Sequence, residues 1–64
     1  MELEWLESGY GAKLYDISKR WRVMAYVSNV VTGWECQVPR QRYTSLHPTK
    51  EEAMAMAVAI VRMQ

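Results

Sequence analysis

The chain has 64 residues, with 8 Lys+Arg against 7 Asp+Glu, and half of its residues are apolar. Such a composition excludes a disordered tail, and the length excludes a second domain. The longest apolar run, Ala53 to Val61, is far short of the roughly 20 residues a membrane-spanning helix needs.

The first nine residues read two ways. Met1, Leu3 and Trp5 alternate with Glu2 and Glu4 as in a strand, whereas Leu3, Leu6 and Tyr10 stand at helical spacing. The structure of this leader, residues 1–9, is left open. Gly9 and Gly11 bracket Tyr10 and mark a break. Ala12 to Ile17 then reads as a first strand, with Asp16 to Lys19 as its connection.

The middle of the chain has period two. Trp21, Val23, Ala25 and Val27 alternate with Arg22, Met24, Tyr26 and Ser28, which predicts a second strand with one apolar face. Turn residues fill Asn29 to Gly33. Trp34, Cys36 and Val38 alternate with Glu35 and Gln37 in a third strand, which at Pro39 bulges, ends or lies at an edge, with Arg40 to Thr44 as its expected continuation.

The C-terminal segment is a helix, predicted over 49–63. Thr49-Lys50-Glu51-Glu52 has the form of a capping box, and an alanine- and methionine-rich run follows it. Ala53, Met56, Ala57, Ile60 and Val61 are its expected core face. The opposite side carries Ala55, Val58, Ala59 and Arg62, with Met54 and Met63 at its borders and Arg62 as the one charge after Glu52.

The expected fold is therefore α+β: a three-stranded antiparallel sheet over residues 10–46, packed on one C-terminal helix (β-β-β-α) in a single domain. A domain this small buries only about 60% of its unfolded surface, which favours a partner or a second copy. A single cysteine excludes an internal disulfide, and a non-basic N-terminus lacks the form of a secretory signal. A reducing, cytoplasmic setting is expected.

Little in the sequence bears chemistry. Cys36 sits on the apolar side of its strand, as a structural thiol would. His47 stands alone before Pro48, and no ligand spacing points to a metal. No cofactor motif and no small-molecule pocket is evident, and the chain is expected not to be an enzyme. Charge distribution says more. Between Lys13 and Arg42 lie six basic and two acidic residues, although the whole-chain isoelectric point is 7.9. With the helix covering the Trp21 and Val23 side, Arg22 and Tyr26 are expected to point outward. Arg20, Arg40, Arg42 and Tyr43 would extend that basic, aromatic sheet face as a nucleic-acid surface.

Arg20-Trp21-Arg22-Val23-Met24-Ala25-Tyr26-Val27, followed later by Thr49-Lys50-Glu51-Glu52-Ala53-Met54-Ala55, resembles the second strand and the helix start of AP2-type DNA-binding domains and the related arm-binding domains of phage integrases. The resemblance implies three strands, one helix and a sheet that enters the DNA major groove. Arg20, Arg22, Arg40 and Arg42 would then be the groove and backbone contacts. The single Lys13 in the first strand and Glu35 in the third depart from that pattern. The alternative is a protein-interaction module, such as a small phage or mobile-element inhibitor or adaptor, or a homodimer. It would use the helix strip of Met54, Val58 and Arg62.

Overall fold

The computed structural model describes residues 1–63. Five strands, β1 (Leu3–Ser8), β2 (Gly11–Asp16), β3 (Arg22–Val30), β4 (Gly33–Val38) and β5 (Tyr43–His47), form one antiparallel sheet in the order β1-β2-β3-β4-β5. The helix α1 (Lys50–Arg62) lies across one face of it. The architecture is α+β with a single C-terminal helix, but the expected three-stranded sheet is overturned by two further strands, one on each edge.

The first extra strand is the leader. Glu4, Leu6 and Ser8 are exposed, while Leu3 and Trp5 are half-buried against the core, so the strand reading of this segment holds over the helical one. The second is Tyr43–His47, which the sequence suggested as a continuation of β4. Pro39 ends β4 instead. Pro39–Gln41 forms a turn of 3-10 helix, and the chain returns alongside β4 with Val38 opposite Tyr43 and Trp34 opposite His47.

The core is Ala12, Leu14, Met24, Ala25, Val27, Cys36 and Val38 from the sheet, with Ala53, Ala57 and Val61 from the helix. Trp21 and Val23 were expected there and are absent. Leu14 pairs with Ala25 but Tyr15 pairs with Val23, leaving Met24 as the extra residue of a β-bulge. The bulge reverses the alternation. Met24 turns into the core, Val23 moves to the Tyr15 side, and Trp21 lies outside the strand, 51% exposed.

Helix α1 begins as its sequence implies. The Glu52 amide donates to Thr49 Oγ1 at 3.2 Å. Among the described residues the reciprocal bond, from the Thr49 amide to the Glu52 carboxylate, is not formed. The helix is rotated relative to expectation. Ala57 centres the buried stripe, with Met54 and Val58 half-buried on one side and Met56 and Ile60 on the other. Ala55, Ala59 and Arg62 are the outward residues of its apolar run. Small alanines at the contact let the helix lie close on the sheet, and the longer side chains close its flanks.

Two close approaches fix the sheet. A side chain at Gly11 would strike the Val27 carbonyl oxygen, and one at Gly33 (φ +147°) would lie 2.6 Å from the His47 carbonyl oxygen. No helix of the described residues is long and apolar enough to cross a membrane.

Candidate nucleic-acid interface

A five-strand meander has two ends, and its connections alternate between them. At one end lie the β1–β2 turn (Gly9–Tyr10), the β3–β4 turn (Val31–Thr32) and the start of α1. At the other lie the β2–β3 and β4–β5 connections and the end of α1. The Gln41 side chain, donating to the Ile60 carbonyl at 3.3 Å, fastens the β4–β5 connection to the last helical turn.

This second end collects the cations. Lys19, Arg20 and Arg22 come from the β2–β3 connection and the first residue of β3. Arg40 and Arg42 come from the β4–β5 connection, and Arg62 ends the helix. All six are exposed, and they are six of the eight Lys and Arg residues in the chain. The two connections stand two strand spacings apart, or roughly 10 Å.

Both are built alike. Ile17–Lys19 is a 3-10 turn closed by Arg20 at φ 57°; Pro39–Gln41 is a 3-10 turn closed by Arg42 at φ 53°. Trp21 also has positive φ, at 59°, and these three are the only non-glycine residues described with left-handed backbone. Each left-handed arginine is followed by an aromatic residue, Trp21 or Tyr43.

The acids at this end leave the cations free. Asp16 is 3% exposed and is satisfied by hydrogen bonds, not by an arginine. It accepts from the Ser18 hydroxyl at 2.6 Å, the Ser18 amide at 3.1 Å and the Glu2 amide at 3.2 Å. The Ser18 hydroxyl bond, with help from the two amides, holds its carboxyl below the usual range despite burial. Glu2 lies nearby, its carbonyl accepting from the Ile17 amide at 2.9 Å. Among the described residues the only ion pair is Lys50–Glu7, at 2.8 Å, and it belongs to the opposite end.

The sequence-derived face is thus divided. Arg20, Arg22, Arg40 and Arg42 do come together, but around one end of the sheet. Tyr26 lies in mid-sheet on the uncovered face, opposite Lys13, whose Nζ is 5.9 Å from its ring centroid. Tyr43 lies on the helix side, where it lines a shallow hollow with Arg40, Gln41, Ile60 and Met63. Sequence reasoning missed Lys19 and Arg62 as members of the group, and Trp21 as an exposed aromatic within it. The αL positions carried no sequence signal, because arginine is not a residue that marks left-handed backbone.

Elsewhere the chemistry is sparse. Cys36 is fully buried, and burial pushes its thiol above the ordinary range against the opposing hydrogen bond from Ser45. Ser45 Oγ also lies 2.7 Å from His47 Nε2, so the serine stands between cysteine and histidine. Among the described residues no three His, Cys, Asp or Glu side chains are grouped to hold a metal ion. The chain matches no protein-family model, no curated protein and no solved structure.

Proposed function

We propose that the protein is a small non-enzymatic binding module for nucleic acid, and that its basic end is the contact surface. One observation carries the reading: six exposed cations, from two connections, the start of β3 and the end of α1, lie at one end, with no ion pair to them in the described residues. Unpaired like charges repel one another, which is tolerable where a polyanion is the partner. The near-neutral net charge hides this arrangement, because Glu7, Glu51 and Glu52 lie at the opposite end.

The groove-reading mode implied by the AP2 resemblance has little support. A sheet of five strands is about 19 Å wide, against about 12 Å for the major groove. A protein or homodimer contact through Met54, Val58 and Arg62 also has less behind it, since Met54 and Val58 pack against the sheet.

Binding to short oligonucleotides, measured by fluorescence anisotropy from 20 to 200 mM salt, tests the proposal. With four to six phosphates neutralised, log K is expected to fall against log salt with a slope of about −3 to −5. Absence of binding to any DNA or RNA at low salt would overturn it.

A further inference from the structure

The aromatic residues at the basic end narrow the class of nucleic acid. This step rests on the proposed function and adds to it. Trp21 is a bulky residue in left-handed backbone, a costly conformation for an aromatic, and yet half its surface remains open to solvent. It is braced by Tyr15 in an edge-to-face contact, centroids 5.7 Å apart at 68°. A tryptophan held this way gives up conformational freedom without the burial that ordinarily compensates for it. Arg20 and Arg22 flank it in the chain.

The second connection repeats the pattern. Arg42 is left-handed, and Tyr43 after it lines a shallow hollow together with Arg40, Gln41, Ile60 and Met63. An apolar, aromatic-walled hollow beside cations suits a base attached to a phosphate. In a duplex the bases are paired and stacked, so neither Trp21 nor Tyr43 could reach a base face. A single strand offers its bases freely. The two connections stand roughly 10 Å apart along the sheet's end, with Trp21 on the uncovered side beside Tyr15 and Tyr43 on the helix side, so a strand that engages both passes over that end, where the arginines lie.

We infer that the ligand is single-stranded nucleic acid, with one base stacked on Trp21, another seated against Tyr43, and the intervening phosphates on Arg20, Arg22, Arg40 and Arg42. Aromatic platforms bordered by cations are the general means of holding unpaired bases irrespective of sequence.

The test uses the whole chain with four probes: a mixed-sequence 10-nucleotide DNA, the same sequence as RNA, the DNA duplex, and a 10-nucleotide strand of abasic sites. Both single strands are expected to bind at least ten-fold more tightly than the duplex and than the abasic strand, which keeps the charge but lacks the bases. Trp21→Leu and Tyr43→Leu are each expected to weaken single-strand binding about ten-fold with the salt slope unchanged. Trp21 lies outside the core, so its variant remains informative if Tyr43→Leu does not fold. Equal or tighter binding to the duplex, or no effect of removing the bases, would overturn the single-strand inference and leave the basic end standing. No binding to any probe would overturn both.

Discussion

The two ends of the sheet solve the same problem, reversing the chain between neighbouring strands, in opposite ways. At the end that holds the helix start, both hairpins turn in two residues, and glycine stands where backbones come closest. The Glu7 carboxylate meets the Lys50 ammonium, which also lies 5.8 Å from the centroid of Trp34. At the other end the connections are longer, three non-glycine residues adopt left-handed backbone, and the cations have no carboxylate partners among the described residues. One end is settled for stability. The other retains strained backbone and unpaired like charges, the features that the proposed nucleic-acid contact would offset.

The largest effects should come from disturbing the settled end. Gly11→Ala and Gly33→Ala each force a Cβ into a neighbouring strand's carbonyl oxygen. Each should cost about 3 kcal/mol or more and lower the thermal midpoint by roughly 15 °C. Circular dichroism melts would show it; a change under 3 °C would mean that the strands can separate there without loss.

The basic end should respond in the opposite sense. Arg20→Gly and Arg42→Gly remove left-handed strain and charge repulsion together. Each should raise stability by about 0.5–1 kcal/mol, after allowance for the flexibility glycine adds to the unfolded chain. The same variants should weaken oligonucleotide binding and flatten its salt slope by about 0.7 each for a single strand. Loss of stability in both would remove the argument that these arginines are retained for a ligand.

Acid offers a more local change. Asp16 is held below the ordinary carboxylate range in the folded chain, mainly by Ser18. Its stabilising contribution is therefore complete above the usual aspartate value of about 4 and disappears as pH falls through the lowered one. Protection factors against amide exchange at Glu2, Ile17 and Ser18, corrected for the pH dependence of the intrinsic rate, should fall below pH 4, ahead of those in α1. Uniform protection down to pH 2 would show that Asp16 does not organise this connection. The smallest effect belongs to Glu7→Gln, which breaks a partly exposed ion pair. It should cost at most about 0.5 kcal/mol, less in high salt, in chemical denaturation.

The sequence was most informative where one signal acted alone. Thr49 followed by Glu51 and Glu52 marks the helix start, and Trp34, Cys36 and Val38 mark β4. Where signals competed, the choice stayed open. Leu3 and Trp5 fit a strand while Leu6 and Tyr10 fit a helix, and pairing with β2 together with packing of Leu3 and Trp5 on the core decided the matter. β5 was hidden because Tyr43-Thr44-Ser45-Leu46-His47 has few apolar residues and follows β4 after only four residues. The bulge at Met24 had no sequence mark, and it moved Val23 out of the core, while the left-handed backbone of the preceding connection leaves Trp21 outside the strand. The arginines were visible as a local excess of charge. Their grouping at an end required the meander, which a three-stranded reading with Arg40 to Thr44 as one extended strand does not supply.

Because every strand in the sheet pairs with its neighbour along the chain, the sheet itself forms without distant segments having to find one another, and only the helix must fold back across β2, β3 and β4. Each hairpin closes a short loop, and the helix follows directly from the last strand. Chains dominated by such local contacts fold fast for their size, here on the order of milliseconds or less, with no slow search through alternative topologies. The two arms of the basic end form in separate hairpins, and β3 and β4 hold them at a set spacing only when they pair. An oligonucleotide that spans both arms would thus stabilise that central pairing and slow its opening.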